Sequence, residues 1–137
     1  VLNPKVFWLT IGTNDLSSEC CSAENIISGN IAIVEEIQSL RPNSTVVING
    51  LLPRGSLFDP VVIPVNEGLT SYAESTLGVE YFGASDDIFA YPNRTLMHLP
   101  DDLHPDEEGY QLWGEAILDR LSGIMAFEID NDSSRNQ

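Results

Sequence analysis

Two short polar clusters carry the side chains best suited to proton transfer and to stabilising a developing negative charge. The first is Gly12-Thr13-Asn14-Asp15, which stops an apolar run. An asparagine amide at the end of a strand can donate a hydrogen bond to an oxyanion. The same four residues also make an ordinary turn, because Gly permits unusual dihedrals and Asn and Asp bond back to local backbone. The second is Asp101-Asp102-Leu103-His104-Pro105, in a chain whose histidines are His98 and His104. Pro105 biases His104 toward an extended conformation. Asp101, three residues earlier, can then accept the Nδ1 proton of His104, fixing the tautomer and stabilising the imidazolium of a general base. The competing reading is a solvated acidic loop with a surface histidine, its Asp106, Glu107 and Glu108 complementing a helix dipole. A cation site on Asp101, Asp102, Asp106 and Glu107 lacks EF-hand spacing, so no metal is expected. A third segment, Leu51-Leu52-Pro53-Arg54-Gly55, reads first as a strand-terminating turn with an exposed arginine. Its functional alternative has Arg54 or Gly55 line a pocket.

Elements of regular structure must position these clusters. Lys5–Ile11 is a short β-branched and aromatic run, read as a buried strand. From Ala23 to Leu40, Ile27, Ile31, Val34 and Ile37 recur at helical spacing, with Ser22 as N-cap and Glu24 in the first turn. Arg41-Pro42-Asn43 ends that helix. Thr45–Leu52 is a second buried strand, Pro60–Thr76 a weaker helix with Pro64 near its start, and Val79–Ala84 a third strand. Pro105 opens a last helix, as proline at a first helical position does, with Tyr110, Trp113, Ile117 and Leu121 as its buried stripe. Residues 126–137 form a polar tail beyond a single unit spanning 1–125. Strands alternating with helices predict an α/β fold: a parallel sheet with helices on both faces and a site at the carboxyl ends of its strands.

Composition narrows the partners. The chain has 137 residues, enough for one small domain, and a formal charge of −15. That charge argues against nucleic acid or an anionic membrane as a partner. No apolar run reaches the length of a membrane span. Val1–Trp8 lacks the basic and apolar regions of a signal peptide. The chain begins without Met and its first strand opens at once, so its N-terminus is expected not to be the native one. Cys20 and Cys21 are adjacent and lack metal-ligand spacing. They read as loop thiols, or as one partner of a disulfide to a cysteine beyond this chain. Sequons at Asn43, Asn93 and Asn131 lean toward a secreted glycoprotein.

Taken in order, these segments resemble the SGNH (GDSL-type) hydrolase family. Gly12-Thr13-Asn14-Asp15 looks like its G-x-N-D block. Asp101-Asp102-Leu103-His104-Pro105, followed by Gly109-Tyr110, looks like its terminal D-x-x-H-P block, about 90 residues further on. Leu51–Gly55 is similar to the acetylhydrolase-like branch. The resemblance covers most of 6–121 and implies a three-layer α/β/α, flavodoxin-like sheet, incomplete here with about three strands. It implies ester hydrolysis without a cofactor, on lipid, acetylated-sugar or small acyl esters. Asn14 would serve the oxyanion hole, His104 would be the general base, Asp101 would orient it, and Gly12 and Arg54 would line the substrate site. The family's Gly-Asp-Ser nucleophile block is absent from this chain. The serine, and two strands, are expected to lie upstream. Alone, the chain is expected to be an incomplete domain with an open apolar strand edge, marginally folded and inactive. The alternatives are a non-catalytic module of this fold that binds carbohydrate or protein, and a self-sufficient acidic flavodoxin-like binding domain.

Overall fold

A computed structural model describes residues 3–17, 21–54, 57–83, 88–89 and 103–135. Three strands, β1 (Val6–Leu9), β2 (Thr45–Asn49) and β3 (Val79–Phe82), form a parallel sheet in the order β1-β2-β3. Between them run α1 (Ala23–Leu40) and α2 (Asp59–Ser75), and α3 (Glu107–Arg135) follows. A short 3-10 turn, Thr13–Ser17, lies between β1 and α1.

Side-chain alternation along each strand sorts the core into two halves. Val46, Ile48 and Val79, with Phe7, Leu9 and Tyr81, face Ile26 and Val34 of α1 and Val62, Val65 and Leu69 of α2. Val47 and Phe82, with Val6 and Trp8, face Trp113, Ile117 and Ile124 of α3. The architecture is therefore the expected three-layer α/β/α. Sealing β2 from both sides requires an unbroken apolar run, which Val46-Val47-Ile48 supplies. Each such side chain contributes about 1.5–3 kcal/mol on leaving water. Among the described residues β1 has one strand neighbour, β2, and all four of its residues are half-buried.

Helix α1 starts where the sequence places it. Ser22 is extended (φ −74, ψ 166) and its Oγ accepts from the Asn25 N–H at 3.4 Å. The Ser22 hydroxyl also holds the exposed Glu24 carboxyl below its ordinary value. Arg41 donates its N–H to the Ile37 carbonyl at 2.8 Å, and Pro42 cannot extend the helix.

Several boundaries differ from expectation. All three strands are shorter, because the ladder ends where β2 runs into Gly50 and β1 into Thr10. The buried stripe of α1 is Ile26, Asn30 and Val34, one position round from the predicted face, with Ile27 and Ile37 at its margins. Pro64 lies near the start of α2, as expected. The last helix begins at Glu107, not Pro105. Asp106 caps it: its Oδ1 accepts from Gly109 N–H at 2.8 Å and its carbonyl from Tyr110 N–H at 2.9 Å. The aspartate side chain satisfies one of the helix's orphan amides, and its carbonyl accepts the first intrahelical bond. Tyr110 is exposed, and among the described side chains of the helix the buried apolar one is Ile124. The segment 126–137, expected as a tail, continues the helix to Arg135, since no Pro or Gly follows Gly123 to break it.

Leu69 is wholly buried and Leu77 is 96% exposed. Leu69→Ala is expected to cost about 2–5 kcal/mol in urea unfolding of the intact protein. Leu77→Ala is expected to change stability by less than about 0.5 kcal/mol.

Candidate active site

The loop after β1 turns on Gly12, whose φ of +108° is strained for any residue with a side chain. A Cβ there would lie 3.1 Å from Ile26 Cγ2 and 3.4 Å from Leu51 Cδ2, so the turn packs tightly against α1 and the end of β2. The Asp15 N–H closes it on the Gly12 carbonyl at 3.1 Å. Leu16 is buried and pins the following 3-10 turn, leaving Asn14 and Asp15 exposed at the carboxyl end of β1.

The loop after β2 is held by Asn66, which takes over where the strand ladder ends. Asn66 of α2 donates its Nδ2 to the Leu51 carbonyl at 2.9 Å and accepts the Leu51 N–H on Oδ1 at 2.8 Å. Both backbone groups of Leu51 are thus satisfied by one buried amide. At Gly50 any Cβ would collide with the Tyr81 hydroxyl. Beyond Leu51 the chain brings Arg54 back to the first loop. Arg54 Nη1 donates to the Thr13 carbonyl at 2.9 Å, its backbone N–H donates to Asp59 Oδ1 at 2.8 Å, and its guanidinium lies 4.8 Å from the Phe58 ring centre.

Helix α3 carries the third loop to the same end of the sheet. Trp113 Nε1 donates to Oδ1 of Asn49, the last residue of β2, at 3.3 Å. One to two turns further on, Arg120 pairs with Glu80 of β3 at 2.6 Å. Gly123 and Ile124 reach the level of Lys5, Thr45 and Val79, which begin the strands or precede them. The helix therefore runs antiparallel to the sheet, and its N-terminus lies at the strands' carboxyl ends. Leu103 is half-buried, His104 exposed and Pro105 buried just ahead of the Asp106 cap. Phe89, wholly buried, meets the Trp113 ring edge-on at 6.3 Å and braces the same helix.

The Asn14 loop, the Arg54 loop and the His104 loop thus share one edge of the sheet. Asp101, Asp102 and Gly55 lie outside the described residues. Among the described residues no three His, Cys, Asp or Glu side chains converge as a metal site, and no helix is long and apolar enough to cross a membrane. A groove of about 1150 Å³ lies at the opposite, amino-terminal end, lined by Lys5, Thr45, Leu77, Glu80 and Arg120 among others. It holds none of the predicted site residues. The bracing roles of Asn49 and Asn66 escaped the sequence reading. Their signal was a polar residue inside an otherwise apolar strand and inside an apolar helical stripe.

This fold, with its polar loops at the carboxyl ends of a parallel sheet, is that of the three-layer α/β/α hydrolases. Residues 1–112 match the model of the GDSL-like lipase/acylhydrolase family, and the chain belongs to that family. It is 33% identical over 130 residues to the platelet-activating factor acetylhydrolase IB subunit alpha1 of Rattus norvegicus, covering 91% of this chain and 54% of that protein. A Drosophila melanogaster homologue of the beta subunit is 41% identical over 54 residues, 39% of this chain and 23% of its own. The chain spans about half the length of the first of these relatives. Among solved structures, a carbohydrate esterase family 3 protein from Talaromyces cellulolyticus superposes with a TM-score of 0.74 at 21% identity, covering 90% of this chain and 59% of that one. An acetyl esterase mutant solved with an acetate ion gives 0.76, also at 21% identity, with the same coverage.

Asn66→Ala leaves the Leu51 N–H and carbonyl buried without partners. It is expected to lower stability by about 1–3 kcal/mol in chemical denaturation. Asn66→Asp keeps the acceptor, loses the donor, and should also destabilise.

Proposed function

We propose that this chain contributes the oxyanion donor and the general base of a serine esterase acting on acetyl or other small acyl esters. One observation carries the reading: Asn14 and His104, about 90 residues apart in sequence, lie on loops at the same edge of one parallel sheet in a chain of this family. The similarity to an acetylhydrolase and to an acetyl esterase supports the acyl class. In this proposal a serine hydroxyl from outside the chain attacks the ester carbonyl. His104 takes the serine proton, and Asp101 holds the imidazole in the productive tautomer. Asn14 donates its side-chain N–H to the carbonyl oxygen as it becomes an oxyanion. The tetrahedral intermediate collapses, His104 returns the proton to the departing alcohol, and water then hydrolyses the acyl-serine by the same route. Gly12 keeps the donor loop close to the sheet. Secretion belongs to the same proposal, on the three sequons, of which Asn43 stands exposed at the turn before β2.

The test is hydrolysis of p-nitrophenyl acetate by the full-length protein. His104→Ala is expected to lower kcat by about 10⁴-fold or more with the melting temperature kept. Asn14→Ala is expected to lower kcat by about 10²–10³-fold. Hydrolysis unchanged in His104→Ala removes that residue from the mechanism and favours the non-catalytic binding module.

A further inference from the structure

We infer that Arg54 is a positioning residue that holds Asn14 in place through the backbone of Thr13. This rests on the reading of Asn14 as oxyanion donor. The Thr13 carbonyl and the Asn14 N–H belong to one planar peptide unit. A hydrogen bond that fixes that carbonyl therefore fixes the plane from which the Asn14 side chain departs. Arg54 Nη1 makes this bond at 2.9 Å, with the Thr13 hydroxyl further out at 3.5 Å. The bond is charge-assisted, and so stronger than a neutral amide pair.

The clamp needs a rigid anchor, and the structure supplies two. The backbone N–H of Arg54 is held by Asp59 Oδ1 at 2.8 Å, within the first turn of α2. The guanidinium lies over the Phe58 ring at 4.8 Å, which restricts its rotation. The Nε atom is buried, so the guanidinium is packed against protein rather than waving in water. The clamp adds to the local closure of the Gly12 turn by the Asp15 N–H bond and the buried Leu16. An oxyanion donor works only when preorganised, so loosening this peptide lowers transition-state stabilisation more than substrate affinity.

A double-mutant cycle in the full-length protein tests this, with kcat and KM measured on p-nitrophenyl acetate for Arg54→Ala, Arg54→Lys, Asn14→Ala and the Arg54→Ala/Asn14→Ala pair. Arg54→Ala is expected to lower kcat by about tenfold, with KM changed less than about threefold. Arg54→Lys is expected to recover part of the loss, since an ammonium reaches the carbonyl but lacks the planar fork. The pair is expected to be no slower than Asn14→Ala alone, because Arg54 acts through Asn14. A raised KM at constant kcat, or losses that multiply in the pair, overturns the inference. Amide hydrogen exchange at Asn14 and Asp15 gives a readout independent of catalysis. Faster exchange at these positions in Arg54→Ala, with exchange in β2 unchanged, supports the clamp, and unchanged exchange there overturns it. If Asn14→Ala leaves kcat intact, the oxyanion reading has failed, and the exchange data alone decide whether the clamp exists.

Discussion

The structure depends on the double burial of β2. Val46 and Ile48 point into the α1–α2 layer and Val47 into the α3 layer, and all three are essentially inaccessible to water. Among the described residues no other strand is sealed so fully: the residues of β1 are half-buried, and Glu80 and Tyr81 of β3 keep partial exposure. Because side chains alternate strictly, a shift of β2 by one residue would exchange its two faces and place Asn49 in the opposite layer. The hydrophobic pattern therefore sets the register. The register in turn decides which loops meet at the carboxyl edge.

Polar side chains finish what the short strands leave undone. A parallel strand of four or five residues ends before its loops are stable, and buried backbone groups past that point need partners. Asn66 supplies both for Leu51, and Asn49 ties α3 to the end of β2. Arg54 spans from one loop to the next. The candidate site is thus framed by amides on β2 and α2 and by the Arg54 guanidinium on the loop between them, while its exposed residues, Asn14 and His104, lie on neighbouring turns.

Much of this was legible in the sequence, for physical reasons. Val46-Val47-Ile48 announced a two-sided strand, and Ser22 with Glu24 announced the start of α1. The Gly12–Asp15 segment lies at the carboxyl end of β1, and Leu103 and His104, the described part of the Asp101–His104 cluster, lie at the same edge of the sheet, because parallel topology leaves few places for loops. The misreadings share a cause. Pro105 suits a first helical position, but the Asp106 cap starts the helix two residues later, at Glu107. The expected face of α1 rests on apolar residues, Val34 among them, whereas the packed stripe also includes Asn30, whose Nδ2 bonds back to the Ile26 carbonyl at 3.0 Å. The contacts of Asn49, Arg54 and Asn66 are long-range, and no local pattern encodes a partner 15, 41 or 64 residues away.

The Asn49-Gly50 pair also bears on how the molecule ages. An asparagine followed by glycine is the peptide sequence most prone to spontaneous deamidation, in which the glycine nitrogen attacks the side-chain amide carbon through a cyclic imide. Here that nitrogen is committed to the Phe82 carbonyl at 3.1 Å, and the Asn49 amide is committed to the Gly50 carbonyl and the Trp113 indole. Native packing thus restrains a reaction that the unfolded chain is open to undergo. Each excursion into the unfolded state exposes the bond, and a completed event would leave a carboxylate under Trp113, unable to donate to Gly50. Chemical lifetime is therefore coupled to how rarely the central strand opens, and the damage, once done, favours further opening.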